Sequence, residues 1–173
     1  MGLLDEETVG DFLAEEVPAA LQWAHHHGVT TTWNERERVL SVRFTGASQV
    51  EGQLEDYLLM GTFEDYRAVP STWRFVDPRT SEPVGAAAYP LGAWPTGSVF
   101  HSNAVICAPW SRDAYSDRNG PHQDWTDATK WQSTSPQHTQ AHTLADMLAR
   151  IYAEIQLSPG RMAPLPPAGE VAA

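Results

Sequence analysis

The sequence predicts an α+β fold: an N-terminal helix, a four-stranded antiparallel meander, a long active-site loop and a C-terminal helix. Three observations predict it. Apolar residues recur at three- and four-residue spacing near the two ends, over residues 3–27 and Thr143–Gln156. Between them lie four short β-prone runs bounded by turn residues. The order helix, strands, loop, helix is that of a meander with flanking helices, not of alternating βα units.

In the first segment Val9, Phe12, Leu13, Val17 and Leu21 form one apolar stripe. Asp5, Glu6, Glu7 and Asp11 gather toward its start, where the helix dipole favours anions. Pro18 lacks an amide hydrogen, so a kink or a break into two short helices is expected there. His25, His26 and His27 close the segment, and Gly28 is a left-handed cap candidate. Three consecutive histidines invite a metal reading. Adjacent helical residues point about 100° apart, however, and cannot all face one ion. No metal and no cofactor is expected.

Thr30–Trp33 and Arg38–Thr45 are the first two strands, joined by a turn at Asn34–Glu37. In the second, Leu40, Val42 and Phe44 alternate with Ser41 and Arg43, a half-buried antiparallel pattern. Asp56–Phe63 is the third strand, more apolar and hence more central. Thr72–Val76 is the fourth, between Pro70 and Asp77-Pro78. Residues 77–98 are rich in proline and glycine and read as a long irregular connection. Val99–Trp110 then holds the only cysteine, Cys107, in an apolar run expected to be a buried sheet edge. Ala108-Pro109 stops that run, so the thiol sits where a strand opens into a loop. Ser111–His142 is a second long loop, pinned to the body by Trp125 and Trp131. The last helix carries Leu144, Met147, Leu148, Ile151, Tyr152 and Ile155 on one face, with Thr143 and Asp146 as a near capping box. Residues 1–157 thus form one domain, and 158–173 are expected to be a Pro/Ala-rich disordered tail.

Composition excludes several classes. Acids outnumber Lys plus Arg by 22 to 11, a net charge of −11, opposite in sign to a nucleic-acid or anionic-membrane binder. A single cysteine makes no internal disulfide, and the N-terminus lacks the basic start of a signal peptide, so a cytoplasmic protein is expected. Lys130 is the only lysine. A shortage of primary amines would limit self-modification by a bound acyl group, although a general bias toward arginine gives the same composition.

Three stretches in this order resemble the ubiquitin-conjugating enzymes, over residues 38–156. Phe63-Glu64-Asp65-Tyr66, then Pro70 and Trp73-Arg74-Phe75, stand like the family's third strand, Tyr-Pro turn and next strand. His101-Ser102-Asn103 looks like the family's His-Pro-Asn, and Ile106-Cys107 like the Ile-Cys that follows. Thr143-Leu144 and Met147-Leu148 open a similar post-cysteine helix. Ser102 replaces the motif's proline, Arg67 the proline after the tyrosine, and Asn103 lies only four residues before Cys107. The loop Ser111–His142 is longer than the family's, and the first helix is acidic where the family's is often basic. The resemblance is to diverged members of the kind found in bacterial ubiquitin-like conjugation systems.

The resemblance implies that Cys107 accepts a ubiquitin-like protein as a thioester from an activating-enzyme-like partner and passes it to a target protein's amine. A thiolate both attacks and leaves well, which such relays need. It implies for Asn103 either a hydrogen bond to the tetrahedral oxyanion, an effect of about 3 kcal/mol where such a donor has been removed, or a structural tie within the loop. His101 is expected as a structural partner more than as a base. Two other classes stay open. One is a non-catalytic binding module of the same fold. The other is a cysteine hydrolase pairing Cys107 with His122 or His138 and an acid such as Asp124.

Overall fold

The structure, a computed structural model, describes residues 2–93, 98–134 and 140–167. Its first element, α1, spans Glu6–His26. Asp5 caps it by accepting the Thr8 backbone N–H at 2.8 Å. Of the kink or break expected at Pro18, the break into two helices does not occur: α1 runs unbroken through it. Pro18 and Ala14 both lie on the exposed face, so the carbonyl that Pro18 cannot satisfy is open to water. The buried face holds Val9, Leu13, Val17, Ala20 and Ala24. Gly28, at φ 65°, then turns the chain into the sheet.

Strands β1 (Thr30–Asn34), β2 (Val39–Ala47), β3 (Leu54–Thr62) and β4 (Thr72–Val76) form one antiparallel sheet in sequence order. The alternation read from the sequence sets the register: Leu40 pairs with Gly61 and Leu59 with Phe75, all on the inner face. Gly61 is a glycine because the Trp73 ring lies where its side chain would be. Helix α2 (Leu144–Leu157) packs on α1 and β2. The capping box is present, with Thr143 and Asp146 satisfying each other's backbone N–H groups. The α+β layout of helix, four-stranded antiparallel sheet and closing helix is therefore that expected. None of the helices among the described residues is long and apolar enough to cross a membrane.

One buried carboxylate joins these parts. Glu16 on α1 accepts from the Tyr66 hydroxyl at 2.8 Å and from the Leu144 backbone N–H at 2.9 Å. Its other oxygen lies 3.2 Å from the Arg67 guanidinium. Burial, then the Glu16 charge, push the Tyr66 phenol far above its ordinary pKa, so Tyr66 stays a donor.

The stretch expected to be a disordered tail packs down instead, as far as Pro166. Arg161 is buried and donates to the carbonyls of Ala87 (3.2 Å) and Ala88 (3.1 Å). It also pairs with Glu55 at 2.7 Å and lies 4.4 Å over the Tyr57 ring. Backbone bonds Leu91 N–H to Gly160 O and Met162 N–H to Tyr89 O complete the attachment. Residues 168–173 lie outside the described residues.

Glu16→Ala leaves a buried phenol and helix-terminal N–H without their acceptor and the half-buried Arg67 guanidinium without its ion-pair partner. A stability loss of about 3 kcal/mol or more is expected, against about 1 kcal/mol for Tyr66→Phe, from urea unfolding midpoints. Equal small losses in the two variants would show that Glu16 does not join the two helices.

Candidate functional site

After β4 the chain passes a 3-10 turn at Gly85–Ala88 and enters a hairpin of two short strands, β5 (Phe100–His101) and β6 (Val105–Ile106). Phe100 pairs with Ile106 and His101 with Val105. The hairpin is separate from the four-stranded sheet, so Val99–Trp110 is not an edge of it. Its apolar face, Phe100 and Ile106, enters the core, where Phe100 meets Phe75 edge-on at 5.6 Å. The Ala104 N–H closes the turn on His101 O at 3.0 Å, with Ala104 at φ 57°. A three-residue loop ending in a left-handed residue is a common hairpin connection, though alanine gives up about 1 kcal/mol there.

This geometry sorts the three expected site residues. Cys107 follows β6 and continues the ladder, its N–H donating to Val99 O at 2.7 Å. Side chains alternate along the hairpin, so His101 and Cys107 share the face opposite Phe100 and Ile106, as diagonal neighbours about 7–8 Å apart. Asn103 stands exposed in the turn, with no hydrogen bond among the described residues. The length of β6 separates it from Cys107, about 10 Å of strand. The structure thus brings His101 toward the thiol and leaves Asn103 away from it.

Cys107 is only 6% exposed. Burial pushes its thiol up to about 12, with the Asp124 carboxylate adding to the rise. His101 is held below its ordinary value by partial burial and by the charge of His122. The electrostatic partners of the hairpin therefore come from the segment after it.

That segment is tied to the residues just after Cys107. Tyr115, fully buried, donates its hydroxyl to Pro109 O at 2.8 Å. The His122 N–H donates to Ala114 O at 3.2 Å, and His122 and Tyr115 form an isolated parallel bridge. The His122 ring stacks on Trp125, with centroids 3.6 Å apart and planes at 5°. Its Nδ1 lies 3.5 Å from an Asp124 carboxylate oxygen. Trp125 in turn packs on Tyr115 at 5.5 Å. The sequence placed His122 and Asp124 together only for the hydrolase class; their compact spacing, two residues apart and followed by a tryptophan, was the available signal. His138 lies outside the described residues.

Two of the histidines at the end of α1 are accounted for locally. Nδ1 of His26 and of His27 each lie 2.8 Å from the carbonyl four residues earlier, and His27 stacks on Trp23. Among the described residues no three His, Cys, Asp or Glu side chains are placed to hold a metal ion. Lys130 is paired with Asp127 at 3.1 Å. Two concavities flank these elements. A groove of about 550 Å³ runs beside His101, lined by Leu91, Gly92, Phe100 and Met162. A second, about 670 Å³, lies at the turn between β2 and β3. The three arginines that line it are paired with Asp56, Asp77 and Glu55.

No family model, no curated protein and no solved structure matches the chain.

A thiol at about 12 is almost wholly protonated at neutral pH. Cys107 in the folded chain should react with a disulfide reagent at pH 8 at least about a hundredfold more slowly than in urea. Asp124→Asn should speed the folded reaction, because removing a negative charge favours the thiolate. Equal rates with and without urea would show that the fold does not shield the thiol.

Proposed function

We propose that this chain is a cytoplasmic carrier of the ubiquitin-conjugating type that holds a ubiquitin-like protein on Cys107 as a thioester. One observation carries the reading: the sole cysteine lies just past β6, after a four-stranded meander and before the closing helix, with a His-Ser-Asn turn ahead of it. That is the order of elements and motifs in the family the sequence resembles.

In the first transfer, Cys107 Sγ attacks the glycyl carbonyl presented by an activating-enzyme-like partner, and the partner's thiol leaves. In the second, a target amine attacks the Cys107 thioester and the Cys107 sulfur leaves. His101, whose depressed pKa keeps it neutral at neutral pH, lines the approach beside the groove. Asn103 is the middle residue of the three-residue turn between His101 and Val105, which the Ala104 N–H closes on His101 O.

A second reading is favoured by the burial of Cys107 and its raised pKa. A buried thiol is the mark of a packing residue, and on this reading the domain binds a ubiquitin-like partner without carrying it.

The two are separated by incubation with the candidate activating enzyme, nucleotide and ubiquitin-like protein, followed by non-reducing gels. A thiol-sensitive adduct, absent in Cys107→Ala, is expected for the carrier. Partner binding without adduct, unchanged by Cys107→Ala, is the outcome of the binding module and overturns the carrier.

A further inference from the structure

We propose that residues 158–166 are a releasable strap, latched by Arg161, that closes one side of the groove beside His101. The strap opens while the two helices and the four-stranded sheet stay folded. This inference does not depend on the carrier reading.

The strap is a shared wall. Met162 lines the groove beside His101, together with Ala86, Leu91 and Gly92. The next three residues, Ala163, Pro164 and Leu165, line the cavity at the turn between β2 and β3. Residues 158–166 therefore run between two concavities, and their displacement alters both.

Little backbone holds the strap in place. One antiparallel bridge, Pro90 with Arg161, carries the Leu91 N–H to Gly160 O bond at 2.7 Å and the Met162 N–H to Tyr89 O bond at 2.8 Å. Pro159, Pro164 and Pro166 have no N–H, so this ladder cannot run far in either direction. Side chains supply the rest, with Arg161 at their centre. Its guanidinium donates to the carbonyls of Ala87, Ala88 and Asp56, pairs with Glu55 and lies over the Tyr57 ring. Ala87 and Ala88 end the 3-10 turn Gly85–Ala88, where the last carbonyls have no partner within the turn. Arg161 thus fixes both the strap and the wall 86–92 that faces it. Two further ties flank it: the Gln49 amide on Arg161 O, and the Arg79 guanidinium on Pro166 O at 2.7 Å.

The body is held by other contacts. Helix α2 packs on α1 and β2, and its first turn is tied to Glu16 through the Leu144 N–H. Strands β1–β4 are held by their own ladders. Loss of the Arg161 contacts therefore opens the strap and the wall locally, at a lower free energy than unfolding of the whole chain.

The test uses the full chain, with hydrogen peroxide as the probe and sulfoxide formation at two methionines read by mass spectrometry. Met162 is half-buried in the groove wall and reports the strap; Met147 is fully buried on α2 and reports the body. Arg161→Ala should oxidise Met162 about tenfold faster than the parent, with Met147 unchanged within about twofold. Amide hydrogen exchange should rise in peptides covering 86–92 and 158–166 and stay at the parent rate in those covering β2 and α2. Arg161→Lys should fall between the two, because the ammonium keeps a charge opposite Glu55 but lacks the fork of donors that serves the carbonyls. Circular dichroism checks folding, and Arg161→Lys decides by the same two methionines if the Ala variant does not fold. Met162 oxidation within about twofold of the parent in the folded variants shows that Arg161 is not the latch and overturns the inference. Met162 and Met147 accelerating in step also overturns it, since the strap then opens only with the body. Neither result bears on the carrier reading.

Discussion

The fold depends on the buried carboxylate of Glu16. A charge at that depth needs compensation, and three groups supply it: the Tyr66 hydroxyl and the Leu144 N–H donate to one oxygen, and the Arg67 guanidinium pairs with the other. The Leu144 contact sets the first turn of α2, where a negative charge also meets the positive end of the helix dipole. Arg67 extends the junction further. Its carbonyl accepts from the Trp131 indole at 3.1 Å, and its guanidinium donates to His142 O at 3.1 Å. One side chain on α1 thereby holds the link after β3, the end of the long post-cysteine segment and the start of the closing helix. The segment that follows Cys107 is thus anchored at both ends, by Tyr115 on Pro109 and by Trp131 at the junction.

Aromatic packing carries the rest. Phe63 meets both Tyr66 and Trp73 edge-on at 5.6 Å, and Tyr66 lies 6.3 Å from Trp131. On the other side of the sheet's inner face Phe75 touches Tyr57, Tyr89 and Phe100. The hairpin bearing Cys107 belongs to a different sheet from β1–β4, so its position is set by side chains: Phe100 and Ile106 inserted into this aromatic core. A site carried on a two-stranded hairpin takes its precision from such packing rather than from the hairpin itself, which is too small to be stable alone.

The elements legible in the sequence are those whose signal is local. Alternation in Leu40, Val42 and Phe44 placed β2, and the Thr143–Asp146 box placed α2 within one residue. What was not legible depends on distant partners. Pro18 is harmless because the carbonyl it frees faces water, which depends on which face α1 buries. The tail folds down because Arg161 finds the free carbonyls of Ala87 and Ala88, and no composition reports that. At the site, the even spacing of His101 and Cys107, six residues apart, put them on one face, as a strand requires. The same spacing applied to Asn103 fails, because the chain reverses at Ala104 in a left-handed conformation that alanine rarely adopts. The packing of His122 on Trp125 and of Trp125 on Tyr115 is a tertiary fact with only a weak local signal.

Burial of Cys107 has unequal effects on the states of a thioester relay. A thiol and a thioester are both uncharged, so the low-dielectric setting and the Asp124 carboxylate disfavour neither. The thiolate alone is penalised, and a thiol at about 12 measures that penalty. Such a site suppresses stray reaction of the free thiol, because the attacking species is scarce. The same penalty falls on the thiolate leaving group in the second transfer, where the sulfur must depart with charge or with a proton. In such a relay the second transfer would therefore depend on proton delivery to the departing sulfur. The stretch that follows the thiol is held to the body beside it, with the Tyr115 hydroxyl on Pro109 O and the Ser111 N–H on Ala108 O.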